Sequence, residues 1–269
     1  MDLFVQDILD ILEQIAPSSL AESWDNTGLL IGEPDAPVHS LLIALDPVLS
    51  LFHEAASCGA NVIITHHPAL FHPLHSLRTD QPIGSFIAGA LQNTLHVIGC
   101  HTNLDSTIGG VSDVLARGMQ LQDITPLVAE KTAANMGCGL GRIGNYVDPM
   151  SPQRCIELLR KACDPPWLLE AGPRPAQINR VAVCGGSCSE FAETAKKAGA
   201  DLFITAEVKH STARWAEEAG FWIIDGGHFA TEHLIVNPFR QRLQQELVQR
   251  NVKTKVYAAR QQPPLTLVG

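Results

Sequence analysis

Short, almost uninterrupted apolar runs alternate with amphipathic stretches along most of this chain, and that rhythm limits the folds open to it. Residues 41–45, 61–65, 96–100, 180–184, 202–205 and 221–224 read as strands. Between them 49–57, 82–92, 111–119, 190–198 and 212–219 read as helices. Strands apolar on both sides can show neither face to water, so they predict parallel sheet covered by helices on both faces. Phe4, Ile8, Ile11, Leu12 and Ile15 recur at helical spacing, which predicts a helix over 2–16 ending near Pro17. Residues 22–32 read as a loop on their Asp-Asn and Gly turn formers. A long helix is expected from about Thr231 to Gln249, then a last strand over 253–258.

The rhythm breaks over 125–172, which is rich in Gly, Asn and Pro, with a strand expected at 141–147 and a helix at 153–162. The expected fold class is α/β: two interlinked lobes with largely parallel sheets flanked by helices. Residues 1–125 and 222–269 would form one lobe, with 126–221 inserted as the second.

Composition excludes several classes. A formal net charge of −9, with no run of Lys and Arg, argues against direct nucleic-acid binding. No apolar stretch is long enough to span a bilayer, so no membrane partner is expected. Asp2, Asp7, Asp10 and Glu13 interrupt the start of the chain where a secretory signal would be apolar. The seven cysteines are odd in number and scattered through apolar segments, as in reduced cytoplasmic proteins.

Three strand ends carry the residues with chemistry. Asn61-Val62-Ile63-Ile64-Thr65 runs into His66-His67-Pro68. Neighbouring side chains of a strand point to opposite faces, so two adjacent imidazoles serve one site only where the backbone turns. In open α/β sheets that place is where ligands bind. Val97-Ile98-Gly99-Cys100 runs into His101-Thr102-Asn103-Leu104-Asp105, and Phe221-Trp222-Ile223-Ile224 into Asp225-Gly226-Gly227-His228, with Glu232 following. His228 and Glu232, four apart, share a face if that turn is helical. Each motif alone has an ordinary reading as loop, cap or solvated helix start. Together they form a mixed nitrogen and oxygen ligand set suited to Zn, Fe, Mn, Co or Ni. Five ligands exceed what one tetrahedral ion needs; two ions bridged by a carboxylate would use them all.

Trp24-Asp25-Asn26-Thr27-Gly28-Leu29, Thr65-His66-His67-Pro68, His101-Thr102-Asn103-Leu104-Asp105 with Gly109-Gly110, and Asp225-Gly226-Gly227-His228 with Glu232 follow one another in this order. On these motifs the chain resembles, over nearly its whole length, the Nif-three-like family of dinuclear-metal proteins, also named GTP cyclohydrolase I type 2 homologues. The resemblance implies a pair of divalent transition-metal ions, with His66 and Asp105 on one, His67 and His228 on the other, and Glu232 bridging both. It also implies a toroidal homohexamer and opening of a nucleotide ring. His101 is expected beside the ligands as a catalytic or substrate-contacting group. The chain departs from the family pattern at Ala206 and Cys188, where Gly is common, both outside the expected ligands.

Other candidates are less specific. Trp24, Asp25 and Asn26 would form a substrate-side loop, or a turn with a packed aromatic. His210, beside Glu207 and Lys209, would line the cavity or simply open a helix. Asp46 ends a strand on the site side, and Asp-Pro is also a common turn. His72 and His75 have no spacing that suits a metal, and Cys184 with Cys188 reads as a strand end and a tight turn. Two functions stay open: a metal-dependent hydrolase of a nucleotide-like substrate, and a non-catalytic hexameric scaffold, metal chaperone or regulatory interaction protein. An oxidoreductase on a dinucleotide lacks its Gly-rich fingerprint.

Overall fold

The doubly apolar runs become the central strands of two sheets. A computed structural model of the chain describes residues 3–130 and 137–268. In chain order the first elements are α1 (Val5–Ile15), β1 (Gly28–Ile31), β2 (Ser40–Ala44), α2 (Ser50–Cys58), β3 (Val62–Thr65), α3 (Pro82–Gln92), β4 (His96–Gly99) and α4 (Thr102–Ser106). Next come α5 (Val111–Gly118), β5 (Gln122–Ala129), β6 (Gly139–Met150), α6 (Pro152–Cys163), β7 (Leu169–Ala171) and β8 (Ile178–Ser187). The last are α7 (Ala192–Lys197), β9 (Leu202–Ala206), α8 (His210–Ala219), β10 (Trp222–Asp225), α9 (His228–His233), α10 (Val236–Gln249) and β11 (Lys255–Ala258). They form two units: residues up to Leu104 with Val236–Gln262, and Asp105–Ile235 with the residues from Pro263 on.

The first unit holds a five-stranded sheet in the order β1-β4-β3-β2-β11. β11, β2, β3 and β4 are parallel, and β1 is antiparallel to β4 at the edge. β3 is buried at every position, as its four apolar-to-threonine residues require. Leu42, Ala44, Ile63 and Val97 meet Leu51 and Ala55 of α2 and Phe86, Ile87 and Ala90 of α3 in one core. Each fully buried Ile or Val there contributes about 1.5–3 kcal/mol. α10 packs on β2 and β11, and α1 packs on α10. α1 buries Ile8, Ile11, Leu12 and Ile15 of the stripe its spacing predicted, with Val5 in place of Phe4, which is the exposed N-cap and whose amide donates to Asp7 at 2.8 Å.

The second unit holds a six-stranded sheet, β5-β6-β8-β9-β10-β7. β8, β9 and β10 are parallel, while β5, β6 and β7 are antiparallel to their neighbours. The strand period of two divides its core. Leu202, Ile204, Trp222 and Ile224 face Leu115, Leu158 and Leu159. Phe203 and Ile223 face Ala195 and Ala216 on the other side.

Four expectations need correction. Residues 28–31, read as loop, form β1, because Leu29-Leu30-Ile31 can pair with the open edge of β4. β5 and β7 were not expected; both lie at edges, where half-buried strands lack a doubly apolar signature. The long helix over 231–249 is two helices. Pro238 has no amide to donate, and its ring would clash with the carbonyl four residues back, at Leu234, so the helix breaks there and restarts at Val236. Of the helix expected over 2–16, Asp2 lies outside the described residues, as do 131–136 of the irregular stretch.

Candidate metal centre

In the first unit, β3 ends at two histidines. The His66 amide donates to Ala44 O at 3.1 Å and the His67 amide to Leu45 O at 2.9 Å. Consecutive amides bonded to one neighbouring chain are not strand geometry, so the backbone has turned where the sequence required it to. His101, just past β4, joins them. One ring nitrogen from each of His66, His67 and His101 lies within 4.8 Å of the others.

Each ring is held through Nδ1. His66 Nδ1–H donates to Cys100 O at 2.9 Å, His67 Nδ1–H to Asp46 Oδ1 at 2.7 Å and His101 Nδ1–H to Asp25 Oδ1 at 2.8 Å. Carbonyl and carboxylate oxygens only accept, so these partners assign the proton to Nδ1 and the lone pair to Nε2. That is how metal-ligating histidines are oriented and made more basic. Asp25 also accepts from the Thr102 amide at 3.0 Å and from the Thr102 hydroxyl. Burial pushes the Asp25 carboxyl up, but the hydrogen bonds from His101 and Thr102 outweigh it and hold it at about 2.

In the second unit, α9 starts at Gly227, whose φ of 79° suits only glycine, and puts His228 and Glu232 on one face. His228 Nδ1–H donates to Glu207 Oε1 at 2.8 Å, and Nε2 stands 3.0 Å from Glu232 Oε2. With the Nδ1 proton committed to Glu207, a lone pair faces a carboxylate oxygen. Two electron-rich atoms at that distance need a cation between them, either a proton or a metal ion. Asp225 at the end of β10 accepts from the Val208 and Gly227 amides, both at 2.9 Å, and so fixes the turns carrying Glu207 and His228. Gly186 passes beside this pair with φ +72°, and a Cβ there would run into Glu232 Oε1. Its amide donates to Thr231 Oγ1 at 3.0 Å.

Asp105 sits in α4. The segment after it is fixed by Arg142, only 1% exposed, which donates to the carbonyls of Ser106, Thr107, Gly139 and Gly141 and to Asp113 Oδ2. Trp24 is 58% exposed, and Asn26 Nδ2 donates to Leu70 O at 2.5 Å. His210 opens α8 and is exposed, as are His72 and His75. Ala206 is buried on β9. The Cys184 thiol, burial and the Asp105 carboxylate hold the Cys188 thiol well above its usual range, the environment of an inert cysteine. Asp46, Asp25 and Glu207 orient imidazoles, a role not assigned to them from sequence. For Asp46 and Glu207 the available signal is a carboxylate just past a strand that neighbours a histidine-bearing one; Asp25, which precedes β1, gives no such signal.

The donors fit a divalent transition metal: imidazole nitrogens oriented through their second nitrogen, with carboxylates alongside. A model of the Duf34/NIF3 (NGG1p interacting factor 3) family matches residues 3–264, and the chain belongs to that family. A Clostridium perfringens relative named GTP cyclohydrolase 1 type 2 homolog is 31% identical over 243 residues, covering 90% of this chain and 92% of the relative. A Clostridium acetobutylicum relative of the same name is 31% identical over 256 residues, covering 95% of each. The crystal structure of the Staphylococcus aureus protein SA1388 superposes with a TM-score of 0.93 at 27% identity, covering all of both chains.

Proposed function

We propose that the chain holds two divalent transition-metal ions, with His66 and Asp105 on one, His67 and His228 on the other, and Glu232 on both. On this reading it is a metal-dependent hydrolase of a nucleotide-like substrate and works as a homohexamer. One observation carries it: His66, His67 and His228 each have Nδ1 committed to a carbonyl or carboxylate oxygen, which directs Nε2 as the ligating atom. The name shared by the two clostridial relatives supports the nucleotide class.

Such ions, when bound, polarise a substrate oxygen and acidify water enough for it to ionise near neutral pH. The chain's own residues do the rest. Asp46 and Glu207 fix the rings of His67 and His228, and the Glu232 carboxylate balances positive charge beside His228. His101, its Nδ1–H held by Asp25, presents Nε2 as a proton acceptor next to His66 and His67. Trp24, Asp25, Asn26 and His210 belong to the substrate side.

Elemental analysis of purified protein, beside a His66→Ala, Asp105→Ala double variant, tests the site. About two ions per chain, falling by half or more in the variant, is the expected result for a two-metal centre. No ion bound, and none taken up on titration with Zn, Mn, Fe, Co or Ni, overturns it. Glu232→Gln is then expected to abolish turnover in a nucleotide and phosphoester screen while leaving the hexamer intact by light scattering.

A further inference from the structure

Three rings beside the imidazole cluster meet nearly at right angles. Trp24 and Phe71 have centroids 5.9 Å apart at 69°, Trp24 and His101 6.2 Å apart at 74°, and Phe71 and His101 6.0 Å apart at 79°. Rings so arranged form a corner. His101 is part of the imidazole cluster, while Trp24 and Phe71 are 58% and 39% exposed. Leaving an indole that far in water forgoes its burial energy, and large aromatics held in solvent mark binding surfaces.

The loop around Trp24 is tied on both sides of it. The Glu22 amide donates to Thr102 Oγ1 at 2.9 Å, and the Asp25 amide to Glu22 O at 2.9 Å. The Asp25 carboxylate is held by His101 and Thr102, and Asn26 reaches Leu70 O, next to Phe71. A side chain that projects from a loop fixed at residues 22, 25 and 26 is pre-organised, so a ligand meets it without an ordering cost.

We infer that Trp24 and Phe71 form a stacking corner for the planar heterocyclic base of the substrate, next to His101. Two features favour a small planar ligand over a protein partner. The corner runs directly into the imidazole cluster through His101, and the loop that carries Trp24 is tied to that same ring by the Asp25 carboxylate. Base-on-aromatic stacking tolerates any base, so the class is a planar nitrogen heterocycle rather than one nucleobase.

This inference rests on the nucleotide-like reading of the same site, and one experiment separates them. Calorimetric titrations of GTP and of inorganic triphosphate are made into metal-supplemented wild type, Trp24→Ala and Trp24→Phe, with elemental analysis and light scattering on the same samples. The expected result is GTP affinity about tenfold or more weaker in Trp24→Ala, near wild type in Trp24→Phe, and triphosphate affinity equal in all three. Equal GTP affinity in Trp24→Ala overturns the stacking corner, as does a wild type that binds GTP no more tightly than triphosphate. A Trp24→Ala variant that changes oligomeric state and loses both ligands alike assigns Trp24 to a subunit interface instead. Absence of bound metal in wild type counts against the metal centre alone, whatever Trp24 does.

Discussion

Asp25 shows how much of the site depends on single polar groups. Its carboxyl lies at about 2 in the folded chain against 3.8 in an ordinary one. A depressed carboxyl stabilises the fold above its unfolded pKa, and that contribution fades as the pH falls from about 4 towards 2. Asp25→Asn is therefore expected to unfold at lower urea than wild type at pH 7, with the gap closing below about pH 4; a gap independent of pH would remove the electrostatic explanation. Gly186 is constrained differently. Gly186→Ala puts a methyl against Glu232 Oε1 at φ +72°, so Glu232 must move, and reduced metal content at near-wild-type helicity is the expected outcome. Arg142 is the largest buried charge. Arg142→Met removes the guanidinium from buried Asp113 and leaves it the Gly109 amide at 2.8 Å, and a loss of about 3–5 kcal/mol in a urea melt is expected. A loss under 1 kcal/mol would mean that water reaches Asp113.

Elements transmit these constraints, and they differ in how far sequence reveals them. Thr231 links α9 to the end of β8: its hydroxyl accepts from the Gly186 amide at 3.0 Å and donates to Gly227 O at 3.0 Å. Thr231→Val keeps the shape but strands a buried amide, so a thermal or urea melt is expected to show a loss of about 1–3 kcal/mol; an unchanged midpoint would show that the amide finds water. β3, β4, β9 and β10 were legible because a strand buried on both faces must be apolar throughout. β1, β5 and β7 were not, since an edge strand is defined by its partner's hydrogen bonds rather than by its own residues. The break between α9 and α10 was written in Pro238, but the apolar spacing across it reads as one helix. The histidines and carboxylates at strand ends were legible from position. Their orientation was not, because Asp46 reaches His67 across 21 residues and Asp25 reaches His101 across 76, distances at which only the folded register decides pairing.

At the scale of the whole molecule, metal and fold are separable. Each unit closes its own apolar core: Leu42, Ile63, Val97 and Phe86 in one, Leu159, Ile204, Trp222 and Phe203 in the other. Those cores are built from apolar side chains and the strand ladders from backbone bonds, so the chain is expected to fold without an ion. In this respect the chain differs from small zinc domains, whose folding free energy is the binding free energy of the metal. Ions bound only by the native state still add stability by mass action, about 2.7 kcal/mol at a hundredfold excess over the dissociation constant. Chelation of the metal-loaded protein is therefore expected to lower the thermal midpoint while leaving the far-ultraviolet circular dichroism at 20 °C unchanged, and the shift is expected to be smaller in the His66→Ala, Asp105→Ala variant, which keeps only the other ion's ligands. Collapse of the dichroism on chelation would show that the ions are structural, and that the two cores do not suffice. An unmoved midpoint, with metal demonstrably removed, would show that the folded and unfolded chains bind it equally, and the donors would then be no pre-organised centre.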